Sequence, residues 1–401
     1  MPDRTLIRGG AVVTPDGVRH GACVVVEDGH IAAVLDRPPP ERAEVVDAAG
    51  GYVLPGLIDL HCDAIEHELQ PRPGVLFPAD LALRSLEGHL AATGITTAFP
   101  SVSFAEGEYG VRTGAVASEL VEAVHRRAGI SPVRLRVHLR YEITDRAALP
   151  VVRDLIATGR VQLLSFMDHT PGQGQYRELE AYRLFLAQNY GVGSEAFERL
   201  MDQKQAARRV AGAGLARLAA HAQAHGVPLC SHDDDSPAKV DLVRGWGAAI
   251  CEFPTTLEAA RHAASVGMAV CVGAPNVVRG GSQGGGLSAQ DAIASGAASM
   301  LCSDYYPAAL LAAVFSFGTA PRVLPGAVRL ATLHPARAAG LGEWTGSLEV
   351  GKWADVTLVR IVRGLPTVTA TMLGGRWSYL LGGGRRAVAR AVVPLTAKRF
   401  R

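Results

Sequence analysis

Residues 53–63 read VLPGLIDLHCD. The apolar run from 53 to 60 has the length and composition of a buried strand, and it stops abruptly on His61-Cys62-Asp63. In an extended chain, residues two apart point to the same side. His61 and Asp63 are therefore offered together at a strand tip. A few residues later Arg72 stands between Pro71 and Pro73, and prolines on both sides stiffen its presentation.

Outward from this strand, the middle of the chain alternates apolar runs with alanine-rich helical text, the pattern of βα units around a parallel sheet. Candidate strands cover 53–60, 94–100, 133–141, 161–167, 227–231, 248–253, 269–273 and 299–303. Eight strands close a (β/α)8 barrel, so the expected fold is α/β, a TIM-type barrel. The two ends of the chain are written differently. TLIRGGAVVTPDG and ACVVVEDGHIAAVLD near the start, with GSLEVGKWADVTLVRIV and PTVTATMLGGRWSYLL near the end, read as short strands broken by glycine turns. The expectation is a small β domain from 1–52 plus 345–401, bracketing a barrel over 53–344. The polar stretch 172–209 is too long for an ordinary connection and reads as a mostly helical excursion over the barrel mouth.

Composition narrows the function classes. The 401 residues are 48% hydrophobic and 19% charged, a balance that buries a large core and argues against disorder. A net charge of +2 supplies no field for nucleic acid or an acidic membrane surface. No apolar run reaches the roughly 18 residues of a membrane span, and MPDRTLIRGG lacks the apolar segment of a secretory signal, so a cytoplasmic location is expected. Cys23, Cys62, Cys230, Cys251, Cys271 and Cys302 include no C-x-x-C pair. Buried reduced thiols account for them better than disulfides or a zinc knuckle.

In a barrel of this kind the active site lies where the strands finish. The polar residues that end the apolar runs are His61 and Asp63, Glu142 in VHLRYE, His169 in LLSFMDH, His232 in PLCSHDDD and Asp304 in MLCSD. Imidazoles and carboxylates converging on one face suit one or two divalent ions, zinc first and manganese or iron after it. Asp304, as a ligand or beside the ligands, is placed to take a proton from activated water. Glu252 in ICEFPTT also ends a strand and reads either as a ligand or as a partner that orients one. His221 and His225 sit four apart on a helix with no carboxylate near them, and read as a helix face.

A second constellation points to anions. GAPNVVRGGSQGGG, residues 273–286, follows the seventh strand and contains Arg279, Gly280, Gly281 and Ser282. Small residues let backbone N–H groups turn toward one point, and the planar fork of arginine matches phosphate oxygens. Gln173 and Gln175 lie just beyond His169, where their amides read as substrate contacts or as a solvated turn.

The glycine-rich amino-terminal β segment, VLPGLIDLHCD, the strand-end histidines, Asp304 and the closing ATLHPARAAGLGEWTGSLEVGKWADVTLV together resemble the amidohydrolase superfamily over nearly the whole chain. The resemblance implies a metal-dependent hydrolase with a distorted barrel and a β sandwich made from both termini. Within the superfamily, HCDAIEHELQPRPGV, DHTPGQGQY, CEFPTT and GAPNVVRGGS are similar to the phosphonate-utilising members that release pyrophosphate from a phosphorylated ribose phosphonate. This implies ion binding by His61, Asp63, Glu142, His169, His232 and Asp304, catalysis by Asp304, and substrate contacts from Arg72, Gln173, Gln175, Arg279 and the 280–282 backbone. His-x-Asp replaces the more usual His-x-His, and Glu142 stands where many members carry a carbamylated lysine. Two other readings use the same residues: a deaminase or cyclic-amide hydrolase acting on a C–N bond, and a metal-binding scaffold without turnover. Superfamily members often self-associate, so a homo-oligomer is compatible, although no stretch locates an interface.

Overall fold

The computed structural model describes residues 4–39, 43–105, 110–170, 180, 183–184, 186–187, 191–282 and 286–382. Eight parallel strands run round its centre: β1 (Leu57–Cys62), β2 (Ile95–Phe104), β3 (His138–Glu142), β4 (Leu163–Met167), β5 (Leu229–His232), β6 (Ile250–Glu252), β7 (Ala269–Gly273) and β8 (Met300–Cys302). All of them are buried apart from the half-exposed Ala269, as strands covered by helices must be. The ring closes through a bridge between Cys62 and Asp304. The Asp304 N–H donates to the His61 carbonyl at 3.0 Å, and the Asp63 N–H to the Asp304 carbonyl at 2.7 Å.

Strands from both ends of the chain form two further sheets. One has the order His30–Leu35, Cys23–Glu27, Arg4–Arg8, Glu44–Asp47. The other runs Arg376–Leu380, Leu365–Leu373, Val356–Val362, Tyr52–Pro55, Ala11–Thr14, Gly17–His20. Ile7, Val24, Val26 and Ile31 of the first pack with Val12, Val53, Val356 and Met372 of the second in one apolar cluster.

The run expected as one strand over 53–60 divides at Gly56. Tyr52–Pro55 pairs antiparallel with the strand Val356–Val362, and the barrel strand begins at Leu57. The division needs a glycine, because a Cβ at position 56 would lie 2.2 Å from Thr96 Oγ1. The third expected strand is likewise broken, into Arg134–Leu135 and His138–Glu142. After β7 the chain forms a short helix, Ala274–Arg279. Of the expected helical excursion, the described part is a 31-residue helix, Ser194–Ala224. Arg208 of that helix bonds Asp168 Oδ2 at 2.8 Å and its Lys204 reaches the His169 carbonyl at 3.4 Å, which fixes the helix beside the end of β4.

Candidate metal centre

The period-2 alternation of β3 turns His138, Arg140 and Glu142 toward the barrel interior, where all three are buried. His61 stands at the centre of the arrangement. Its Nε2 lies 3.2 Å from Asp63 Oδ1 and its Nδ1 lies 3.3 Å from Glu252 Oε1. The ring meets His138 edge-on at 5.0 Å and Phe253 at 4.8 Å, with His232 at 5.5 Å. Glu252 is further held by the Ser165 hydroxyl, which donates to Oε2 at 2.9 Å. Three sets of ligand atoms converge among the described residues: His61 with Asp63 and Asp304, His61 with His138 and Glu252, and His169 with His232 and Asp233.

The donor chemistry fits a divalent ion. His61 Nε2, His232 Nδ1 and Asp233 Oδ2 are buried and make no hydrogen bond, even though the last two lie 3.1 Å apart. Buried polar atoms are almost always paired. Facing nitrogens and carboxylate oxygens that complete no hydrogen bond with one another are the arrangement that a shared cation satisfies, and these N and O donors suit first-row metals.

Electrostatics separates the members. Burial works against protonation of His61, but the carboxylates of Asp63 and Glu252 outweigh it and raise that imidazole to about 10. Burial pulls His138 down to about 3 and His232 to about 4, so both are neutral. Burial, reinforced by the charge of Asp63, pushes the Asp304 carboxyl up to about 7. A carboxyl so placed exchanges protons near neutral pH.

The backbone is strained at the same rim. Asp233 and Phe253 follow directly on the ends of β5 and β6, and Asp304 stands two residues past the end of β8, with φ of 55°, 51° and 57°, a left-handed region that costs an L-residue roughly 1–2 kcal/mol. Each donates its N–H to the next strand round the ring, to the carbonyls of Glu252, Cys271 and His61. Those bonds hold the turn that aims each side chain at the mouth.

The structure thus brings together His61, Asp63, His169, His232 and Asp304. Glu142 belongs to none of the three sets. Its Oε2 accepts the His169 backbone N–H at 3.1 Å and lies 3.5 Å from His169 Nδ1, so it sits against His169. Arg72 and Arg279 are exposed, Arg72 in a turn bridged to Val75. The expected anion nest at 280–282 has a different form. Gly280, at φ 77°, ends the helix Ala274–Arg279, and the N–H groups of Gly280 and Gly281 donate to the carbonyls of Val277 and Asn276. Unsatisfied carbonyls at a helix C-terminus claim such donors. Ser282 is half-buried nearby, and Gln173 and Gln175 lie outside the described residues. His221 and His225 bond the carbonyls of Arg153 and His221, as a helix face. Sequence reasoning missed His138, Arg140, Asp233 and Ser165. For the first two a signal existed, since HLRYE sets three chemically active side chains at i, i+2 and i+4.

Residues 52–378 match the model of the amidohydrolase family. The chain is 35% identical over 339 residues to an α-D-ribose 1-methylphosphonate 5-triphosphate diphosphatase of Escherichia coli (strain K12), covering 83% of this chain and 89% of that one. It is 33% identical to a dihydroorotase of Anaeromyxobacter dehalogenans (strain 2CP-C), over 33% of this chain and 28% of the relative. Among solved structures, an amidohydrolase from a Sargasso Sea environmental sample superposes with TM-score 0.62 at 16% identity, over 96% of this chain and 98% of that one. A dihydropyrimidinase from Brevibacillus agri NCHU1002 gives 0.61 at 15% identity, over 93% and 94%. These two share the fold.

Proposed function

The chain belongs to the amidohydrolase family, whose members are metal-dependent hydrolases, and from that premise we propose that it hydrolyses α-D-ribose 1-methylphosphonate 5-triphosphate to the 5-phosphate and pyrophosphate. The observation that carries this reading is the extent of the similarity. The diphosphatase is matched over 89% of its length, whereas the dihydroorotase is matched over 28%.

His61, Asp63, His169 and His232, with Glu142 and Asp304 beside them, are the residues that would hold the metal. A divalent ion at such a centre supplies Lewis acidity and lowers the pKa of water toward neutrality. Asp304 accepts the proton of the attacking water, a role suited to a carboxyl near 7. The water oxygen bonds to phosphorus as the bond to the pyrophosphate oxygen breaks, and the leaving group departs as an anion. Glu252 engages His61 Nδ1, which leaves Nε2 facing Asp63 and Asp304. Arg72 and Ser282, on loops beyond β1 and β7, and Arg279, at the end of the helix after β7, meet the phosphates at the rim.

The test is incubation of metal-replete protein with this triphosphate, followed by phosphorus NMR. Pyrophosphate and the 5-phosphate are expected in equal amounts. No pyrophosphate, together with turnover of dihydroorotate or another cyclic amide, replaces this reading with hydrolysis of a C–N bond.

A further inference from the structure

Arg140 is a cation already built into the centre. It lies on β3 with a relative exposure of 2%. Its Nη1 donates to both oxygens of Asp63, at 2.9 and 2.8 Å, and its Nη2 donates to His232 Nε2 at 3.2 Å. Its Nε has no partner. Asp63 and His232 belong to two different sets of converging ligand atoms, so one guanidinium joins the two halves of the centre.

Burying a guanidinium is costly unless its donors are met, and this one has a donor left over. The position therefore serves something other than fold stability. A guanidinium that donates to Asp63 occupies lone pairs that a divalent ion needs, and by donating to His232 Nε2 it keeps the proton of that neutral ring on Nδ1, the nitrogen that faces Asp233. It also sets a fixed positive charge beside any incoming ion, and like charges in a low-dielectric interior repel strongly.

We infer that Arg140 is an internal counter-ion that competes with divalent metal for Asp63 and His232 and so sets the metal affinity of the centre. Without an ion it neutralises Asp63 and holds His232 by Nε2. With an ion it yields at least one of these contacts, and its repulsion keeps binding weaker than the ligand set alone would allow. The inference rests on the reading that these strand ends hold metal, and is independent of which bond is cleaved.

The experiment compares wild type, Arg140→Met and Arg140→Lys, each stripped of metal. Zinc and manganese are titrated in against a chromophoric chelator, and metal content is measured by mass spectrometry. Arg140→Met, of similar length and uncharged, is expected to bind at least tenfold tighter or to take up an additional ion. Arg140→Lys, which keeps the charge, is expected to stay within a few-fold of wild type. If Arg140→Met does not fold, Arg140→Gln replaces it with the same expectation. Equal or weaker binding by the uncharged variant, with wild type binding metal, overturns the inference alone. Absence of metal binding in wild type and every variant overturns the metal reading and this inference with it.

Discussion

Replacing Glu252 by Gln keeps the shape of the side chain and removes its charge at a fully buried point of the centre. The carboxylate is buried, accepts from Ser165 at 2.9 Å and from His61 at 3.3 Å, and lies 3.5 Å from His138 Nε2. Hydrogen bonds to a charged group contribute about 1.5–3 kcal/mol each, roughly twice the neutral value. Two such bonds reduced to neutral strength cost about 2–3 kcal/mol. At about 2.1 cal/mol/K per residue, a chain of 401 residues would lose about 3 °C in Tm. The pH dependence has a definite sign. His61 is raised to about 10 when folded, above its ordinary value of about 6.5. The stabilisation from its pairing is therefore complete below about 6.5 and is lost as pH rises through about 10. The Tm deficit of Glu252→Gln should be full at pH 6 and shrink toward pH 10. Metal affinity should fall about 10- to 100-fold, the usual effect of removing a carboxylate that orients a ligand histidine. Thermal scans of the metal-free protein across this pH range and a chelator titration at pH 7.5 make the check. A Tm indistinguishable from wild type at pH 6 with unaltered metal affinity would refute the assignment of Glu252 as the residue that orients His61.

Asp304→Asn should lower turnover about a hundredfold or more, the range of a lost general base, while metal content stays near that of wild type; retained turnover removes Asp304 from proton transfer. Because His61 is protonated at neutral pH in the metal-free protein, metal uptake should release close to one proton from it and apparent affinity should rise with pH. Calorimetry in two buffers of different ionisation enthalpy measures that release, and identical heats would contradict it. Gly56→Ala places a Cβ 2.2 Å from Thr96 Oγ1 and should destabilise by about 1–3 kcal/mol through overpacking. Thr96→Ala in the same chain should recover part of that loss in a denaturant titration, and no recovery would locate the strain elsewhere.

The parts legible in the sequence are those set by local pattern. Apolar runs of strand length alternating with helical text specify βα units, and a polar residue that stops such a run specifies what the mouth of the barrel displays. That is why His61, Asp63, His169, His232 and Asp304 could be placed at strand ends from neighbours in the chain alone. The division at Gly56 escaped notice because the two halves of the apolar run belong to different sheets, and only the close approach of Thr96 shows where one ends.

Tertiary structure alone decided the partners. His61 and Glu252 are 191 residues apart and Arg140 and Asp63 are 77 apart. No local period encodes such pairings, because they depend on strand order, register and the closure of β8 on β1. Closure placed Glu252 against His61, set Glu142 against His169, and put the guanidinium of Arg140 between two groups of side chains whose ligand atoms converge. It also turned the glycines after β7 into the end of a helix, since the unsatisfied carbonyls of that helix were the nearest acceptors for their N–H groups. Residue types and their place at the strand ends are properties of the chain, whereas the division of labour among them is set by which lone pairs and charges the closed barrel brings within reach of one another.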